Sequence, residues 1–182
     1  LNGITKTCVI TTYSYAYYEE MVDGSTNFDG TFMKIAGKTA IVFPGASTSW
    51  KYTMTAPVKL DKPTTILYSN AWSLQNTCGQ LRTLNFLDSK GTIIFSIPYT
   101  WASIKIGETE LANAVAKDKW QDVTVTIDPE TKVVTVTVGE SSATTTLTEG
   151  AEDIAGIEFN SASSVPAPDA RALGISSFKV TQ

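Results

Sequence analysis

Tyrosines crowd a short segment near the start of the chain, residues 12–18. On a β-strand, Tyr13, Tyr15 and Tyr17 would share one face with neighbouring rings about 7 Å apart, because side chains alternate between faces. A tyrosine ring stacks on the C–H face of a pyranose, and its hydroxyl meets the polar edge of the sugar. The spacing therefore predicts a glycan-binding ladder. The alternative is that the three rings pack between strands as cross-strand aromatic pairs.

A second candidate cluster follows in the segment 64–76. Tyr68, Asn70 and Trp72 share one face of a predicted strand, and Gln75 lies in the loop after it. Aromatic rings with carboxamides suit a sugar site, since an amide both donates to and accepts from paired hydroxyls. Ile66 occupies the same face, which indicates that the face is buried at least where the strand begins.

Five further aromatic residues are divided between ligand binding, burial in the core and a structural role. Tyr99 and Trp101 continue the alternation of the apolar strand before them, and Pro98 between them indicates an edge or a loop. Both are predicted either as rim residues that contact a ligand or as a continuation of the core. Trp50 and Tyr52 are predicted to be buried. Trp120, at the start of a hairpin, is predicted to have a structural role.

Oxygen donors concentrate in the acidic segment 19–30. Calcium prefers six to eight oxygen ligands, so this segment is a candidate for a structural ion, although its spacing is not that of an EF-hand. The alternative is a solvated acidic turn, and no cofactor is otherwise required. The candidate ligands are Glu19, Glu20, Asp23, Asn27 and Asp29.

The inventory of reactive side chains is short. The chain has no histidine, which excludes a Ser-His-Asp triad and histidine metal ligands. Its two cysteines, Cys8 and Cys78, are predicted either as one disulfide or as two buried thiols. A glycosidase needs two facing carboxylates, and only Glu158 lies in the middle of a predicted strand, without an evident partner. The sequence therefore predicts a protein that is not an enzyme.

The clearest structural pattern is the hairpin at residues 120–138. Two runs that alternate valine or isoleucine with threonine flank the turn Asp128-Pro129-Glu130-Thr131. Pro129 and Asp128 both favour a turn, and the alternation gives each strand one buried and one wet face. The hairpin predicts an antiparallel sheet with one face in solvent.

The same pattern of short alternating runs separated by turn residues continues along the chain and predicts an all-β fold. About a dozen short strands form a two-sheet antiparallel jelly-roll sandwich, and only 108–117 reads as a short helix. The loop 161–171 is the one segment predicted to be mobile. The predicted strands are 5–13, 31–35, 38–43, 49–56, 64–73, 80–88, 92–98, 120–128, 132–138, 142–147, 154–160 and 173–181.

Length and charge bound the function. A chain of 182 residues fits one domain spanning 1–182, which is expected to be excised from a larger multimodular protein. A net charge of −4 argues against nucleic acid as a partner, and no apolar run is long enough for a membrane span. The style of the sequence is that of a secreted or cell-surface module.

Residues 64–182 resemble concanavalin A-like and laminin-G-like jelly rolls. The resemblance lies in the strand pair at 84–97, in Trp120 with its Val/Thr hairpin, and in the last strand introduced by Leu173-Gly174. Many bacterial carbohydrate-binding modules close with a similar strand. The resemblance implies the same sandwich fold and a role in binding carbohydrate.

These observations predict a non-catalytic carbohydrate-binding module. Aromatic stacking and Asn/Gln hydrogen bonds would hold a polysaccharide, for example a plant cell-wall glycan, and bring a covalently linked catalytic module to its substrate. Two alternatives remain: a structural or adhesive domain of a cell-surface protein without a sugar site, and a small glycan-cleaving enzyme with two carboxylates.

Overall fold

The computed structural model describes residues 15–21, 28, 31–43, 49–72, 82–100, 103–161 and 173–182. These residues form fourteen β-strands in two antiparallel sheets. None of the described residues lies in an α-helix, and these ranges hold no helix that could cross a membrane. The predicted all-β, two-sheet antiparallel sandwich is confirmed.

Most strands begin and end within three residues of their predicted positions. Three coincide with the prediction, at 31–35, 38–43 and 173–181. The strands are β1 (Tyr17–Glu20), β2 (Thr31–Ile35), β3 (Lys38–Phe43), β4 (Ser49–Lys59), β5 (Thr64–Trp72), β6 (Arg82–Leu87), β7 (Ile93–Thr100), β8 (Ser103–Ile106), β9 (Thr109–Leu111), β10 (Gln121–Asp128), β11 (Val133–Val138), β12 (Ser141–Thr146), β13 (Asp153–Ser161) and β14 (Leu173–Thr181).

The two sheets differ in width. The eight-stranded sheet has the order β12-β11-β10-β5-β14-β3-β2, and β1 pairs with β14 on the same edge as β3. The six-stranded sheet has the order β4-β13-β6-β7-β8-β9. Strand β5 lies in the middle of the wider sheet, between β10 and β14, so the hairpin β10–β11 is bound to the last strand of the chain through β5.

The predicted helix at 108–117 is wrong. Leu111 ends β9, and the chain then turns through Asn113, which has a φ of 57°. That left-handed conformation interrupts a helix, and asparagine tolerates it better than most residues. Ala114 and Val115 are both buried in the core. Leu111 and Val115, whose spacing of four residues indicated a helix, therefore pack into the core from the end of β9 and from the chain just after it. Strands β1, β8 and β9 were not predicted, and the predicted strand 5–13 lies outside the described residues.

The core lies between the two sheets. Tyr68 of β5 and Tyr99 of β7 join the sheets through their hydroxyl groups, whose oxygens are 2.8 Å apart. Beside them Phe86 stacks on Phe95 with ring centroids 4.3 Å apart, and Phe178 of β14 packs against Phe86. Aromatic side chains therefore fill the centre of the sandwich and leave the outer faces to smaller, polar residues.

A smaller apolar cluster covers one end of the wider sheet on its outer side. Its fully buried members are Ile35, Ala40, Val42 and Ala71, and Trp120 packs against them. The Trp120 indole N–H donates to the Ile35 carbonyl at 3.0 Å. The structural role predicted for Trp120 is confirmed. A Cβ at Gly174, the second residue of β14, would overlap the end of the Ile35 side chain, so a larger residue there would require Ile35 to shift.

The turn of the β10–β11 hairpin depends on Asp128. Its carboxylate accepts backbone N–H groups of Glu130 at 2.9 Å and Thr131 at 3.2 Å. Hydrogen bonds from Thr131, and then from the Glu130 amide, lower the pKa of Asp128 below its ordinary value of 3.8. A carboxyl group with a depressed folded-state pKa stabilises the fold above its unfolded pKa and loses that contribution as the pH falls.

We expect Asp128→Ala to lower Tm at pH 7, because two turn amides lose their acceptor. The difference from the unchanged protein should shrink as the pH falls below 3.8 and the carboxyl becomes protonated. Thermal unfolding followed by circular dichroism between pH 2 and pH 7 measures both effects. Glu130→Ala, a neighbouring exposed carboxylate, is the matched control. Equal Tm values for Asp128→Ala and the unchanged protein at pH 7 would contradict the assignment.

Candidate functional site

Most of the aromatic residues predicted to bind ligand belong to the core. Tyr68, Trp72 and Tyr99 are each at most 1% exposed, and Asn70 is fully buried. The register explains this placement, because Tyr68 lies opposite Val123 of β10, whose side chain faces the core. A buried ring offers no face to a sugar from solvent. The prediction that these four residues bind ligand is wrong in the described structure.

Within the core these four residues join elements that are distant in sequence. The Asn70 side chain donates to the carbonyls of Ala114 at 3.1 Å and Gln121 at 3.0 Å. The backbone N–H of Trp72 donates to the Ala116 carbonyl at 2.8 Å. The bonds to Ala114 and Ala116 tie β5 to the turns that precede β10, and the bond to Gln121 ties it to the start of β10. Asn70 therefore positions the chain where we predicted that it would meet a sugar.

The buried tyrosines are neutral throughout the ordinary pH range. Burial, reinforced by the neighbouring Tyr99, raises the pKa of Tyr68 well above 10.0, and burial also raises the pKa of Tyr99. Arg82 lies beside them at 1% exposure, with its guanidinium carbon 5.5 Å from the Trp72 ring and 5.9 Å from the Phe159 ring. Cation–π contacts of this kind offset part of the cost of burying a charge.

The tyrosine segment is divided between the core and the surface. Tyr17 is buried and its hydroxyl lies 2.5 Å from that of Tyr52, so it cannot stack on a ligand. Tyr52 is buried as predicted. Tyr15 is 40% exposed and stacks on Tyr18, which is 44% exposed, with ring centroids 5.3 Å apart. The ladder of Tyr13, Tyr15 and Tyr17 is corrected, because β1 begins only at Tyr17 and the exposed pair is Tyr15 and Tyr18.

Tyr18 is held in place by charged neighbours. Its hydroxyl donates to Glu20 Oε1 at 2.5 Å, and Lys179 Nζ lies 5.4 Å from its ring centroid. The hydrogen bond to Glu20 is the main reason that the pKa of Tyr18 rises to about 12. The phenol therefore stays protonated in neutral solution, and its ring is fixed beside the outer face of the sheet.

A groove of about 560 Å³ opens beside Tyr18 on the outer face of the eight-stranded sheet. We call it the tyrosine groove. Its lining combines one exposed ring with carboxylates, ammonium groups and hydroxyls, which supplies both donors and acceptors to a hydroxylated ligand. The residues that define it are Tyr18, Glu20, Met21, Lys38, Thr39, Leu67, Ser69, Asp122, Ser176, Ser177 and Lys179.

Strand register arranges much of this lining in two straight rows. The first row crosses four strands through Asp122, Ser69, Ser177 and Glu20. Within it the Ser69 hydroxyl donates to Asp122 Oδ1. The backbones of Asp122 and Glu20, at its two ends, are three strand spacings apart, about 14 Å. Both carboxylates therefore accept hydrogen bonds independently along one line.

The second row runs parallel to the first on the same face. It passes through Thr124, Leu67, Lys179 and Tyr18. Tyr18, Asp122 and Lys179 were not among the predicted site residues. The β10 alternation already placed Asp122 on the wet side of the hairpin, and Phe178 and Val180 place Lys179 on the wet side of β14. The alternation in β10 and β14 could therefore have identified Asp122 and Lys179 as residues of the wet face, but not Tyr18.

Glu158 does not form a catalytic pair in the described residues. Its carboxylate accepts from the Asn85 side chain at 3.4 Å, and Asn85 in turn accepts from the Ser96 hydroxyl at 2.8 Å. Glu158 therefore has an amide partner on the outer face of the six-stranded sheet, and the residues opposite it on β4 and β6 are Lys51 and Asn85 rather than a second carboxylate.

The predicted calcium ligands are only partly described. Glu19 and Glu20 are successive residues of β1, so their side chains point to opposite faces. Glu19 accepts from the Tyr17 hydroxyl at 3.3 Å, whereas Glu20 accepts from Tyr18. They therefore do not converge on one ion. Among the described residues no three His, Cys, Asp or Glu side chains lie close enough to hold a metal.

Several predicted residues lie outside the described part of the chain. The most consequential are Trp101, which was to contact ligand, and the cysteine pair. The full set is Cys8, Tyr13, Asp23, Asn27, Asp29, Gln75, Cys78 and Trp101, together with most of the loop 161–171.

The fold resembles solved lectin structures over most of the chain. Lectin II from Ulex europaeus matches with a TM-score of 0.62 at 12% identity, covering 92% of this chain and 99% of the lectin. The Emp46p carbohydrate recognition domain, in a potassium-bound form, matches with a TM-score of 0.58 at 12% identity, covering 89% of this chain and 94% of that domain. A sialidase matches with a TM-score of 0.58 at 14% identity over 84% of this chain.

The chain has the concanavalin A-like jelly-roll fold, as the sequence resemblance predicted. It spans only 16% of the sialidase chain. Its sequence matches no protein-family model and no curated protein. The comparisons therefore establish the architecture.

Because Trp72 is buried in the core, we expect its replacement to destabilise the fold. Trp72→Ala should lower the free energy of unfolding by about 3–5 kcal/mol, because it leaves a cavity beside Tyr99 and Arg82. Trp72→Phe, which keeps an aromatic ring, should cost less. Urea denaturation measures both. A Trp72→Ala variant with unchanged stability would show that the ring is not part of the core.

Proposed function

We propose that this protein binds carbohydrate through the tyrosine groove and does so without catalysis. The exposed Tyr18 ring carries the proposal, since it stands at the edge of a groove whose carboxylates and lysines pair with sugar hydroxyls. The likeness to lectins and to a carbohydrate recognition domain supports the same class of ligand. The tyrosine groove lies at a different place from the aromatic clusters that the sequence predicted as binding sites.

The separation of the carboxylates supports binding rather than cleavage. The backbones of Asp122 and Glu20 lie about 14 Å apart, with two strands between them. Glycosidases place their two carboxyl groups about 5–10 Å apart across the scissile bond. Each carboxylate also has a local partner, Ser69 for Asp122 and Tyr18 for Glu20, so both are arranged as hydrogen-bond acceptors.

The biological setting is a further part of the proposal. The domain belongs to a secreted or cell-surface protein and brings a covalently linked catalytic module to a polysaccharide. Tethering raises the local concentration of the linked module at its substrate without new contacts. Native gels cast with plant, algal and host polysaccharides test this first. Retardation by one class supports binding, and unretarded migration with no sugar released would favour a structural or adhesive domain.

Replacement of Tyr18 separates stacking from hydrogen bonding. We expect Tyr18→Ala to weaken binding to the retained glycan at least about tenfold, which corresponds to about 1.4 kcal/mol, because the stacking surface is lost. Tyr18→Phe keeps the ring and loses only the bond to Glu20, so it should bind more tightly than Tyr18→Ala. Isothermal titration calorimetry measures both affinities.

Ile93→Ala is the control for this pair, because Ile93 is 43% exposed and lies in the other sheet. It should bind the glycan as the unchanged protein does. If Tyr18→Ala binds the glycan with the affinity of the unchanged protein, the sugar binds elsewhere and the assignment of the tyrosine groove is wrong.

A structural calcium ion is a separate part of the proposal. Only one of Glu19 and Glu20 can join Asp23, Asn27 and Asp29 in one ligand set, because the two glutamates face opposite ways. We expect a chelator to lower Tm and added calcium to restore it. An unchanged Tm on chelation would remove calcium from the proposal.

A further inference from the structure

The outer face of the eight-stranded sheet carries aligned hydroxyl groups beyond the tyrosine groove. The row that contains Tyr18, Lys179, Leu67 and Thr124 continues in register through Thr137 of β11 to Ser142 of β12. It therefore crosses six strands. A second row beside it consists wholly of threonines, namely Thr181, Thr65, Thr126, Thr135 and Thr144. We call the hydroxyl residues of these two rows the hydroxyl face.

Of the eleven positions in the two rows, Lys179 is the one that carries a charge. Wet faces of sheets ordinarily carry lysine and glutamate, which seldom tolerate burial. A threonine hydroxyl both donates and accepts, while its methyl group contacts an apolar surface. Beyond Lys179, the two rows therefore match an uncharged ligand that presents hydroxyl groups and C–H groups together, and they offer no further cation to phosphate or sulfate.

The hydroxyl face is continuous with the tyrosine groove. Thr65, Thr126 and Thr135 line a second depression of about 440 Å³ on the same side of the sheet. Thr65 and Leu67 are alternate residues of β5, so this depression and the tyrosine groove meet on one strand.

The spacing of the row suits a polymer. Neighbouring strands are about 4.8 Å apart, so the six positions from Tyr18 to Ser142 span about 24 Å. In an extended chain of β-linked hexopyranoses, the spacing between successive sugar rings is similar to the spacing between neighbouring strands. A chain lying across the strands would thus meet one protein side chain for nearly every sugar unit.

We propose that the ligand is an extended, unbranched, neutral polysaccharide chain that lies across the strands from Tyr18 to Ser142. This inference rests on the proposed function and specifies the ligand class and its direction. Tyr18 and the carboxylates hold one end, and the hydroxyl face adds affinity with each further sugar. A second copy of this chain is the main rival occupant of an uncharged sheet face.

The test is a titration with oligosaccharides of increasing length. Neutral β-linked cello-, manno-, xylo- and chito-oligosaccharides of one to six units serve as probes for calorimetry with the full chain. We expect affinity to rise at least about tenfold from the disaccharide to the hexasaccharide. The double variant Thr124→Val/Thr137→Val should lose about tenfold in affinity for the hexasaccharide and nothing for the disaccharide, since two hydrogen bonds disappear.

Valine preserves both shape and strand propensity, so this variant keeps the sheet. Thr53→Val/Thr55→Val is the matched control, because both threonines are exposed on β4 of the other sheet and should leave every affinity unchanged. A plateau in affinity at one or two sugars, or full hexasaccharide affinity in the double variant, would overturn the inference and leave the groove intact. Failure of every glycan to bind would overturn the proposed function as well. A change in sedimentation of the double variant with unchanged glycan affinity would assign the face to a second copy.

Discussion

The alternation of strand β5 between β10 and β14 is the constraint on which the rest of the structure depends. Its inward side chains, including Tyr68 and Trp72, meet the six-stranded sheet, and the hydroxyl of Tyr68 bonds that of Tyr99 across the core. A slip of one residue would exchange the two faces, exposing these rings and burying Leu67 and Ser69. Asn70 further fixes this register, because its side chain donates to the carbonyl of Ala114, in the turns before β10, and to that of Gln121, the first residue of β10.

The outer face follows from the same register. Because β5 is held between two neighbours, the polar residues of β10, β5, β14 and β1 fall into straight lines across the sheet. Bringing Tyr18 beside Lys179 requires no special loop, only the pairing of the first described strand with the last. The proposed binding surface is thus the reverse side of the packing that stabilises the core, and the two cannot be altered independently at β5.

Prediction from the sequence worked best where a local pattern had one interpretation. The Val/Thr hairpin, the turn at Asp128 and the strand bounds at β2, β3 and β14 are such cases. It worked worst for aromatic residues, since a tyrosine or tryptophan serves equally in a core or on a sugar-binding face. Leu111 and Val115 misled for a related reason, because spacing by four satisfies buried turns as well as a helix.

The sequence by itself determined most of the strands, their alternation and the all-β class, since each depends on neighbouring residues in one segment. Tertiary structure decided which face of β5 is buried, where β1 begins and which distant residues share the tyrosine groove. The reason is physical: alternation separates two faces without naming the wet one, and the choice belongs to the arrangement that buries the most apolar surface over the whole chain. Tyr18 and Lys179 are far apart in sequence, and only the pairing of β1 with β14 makes them neighbours.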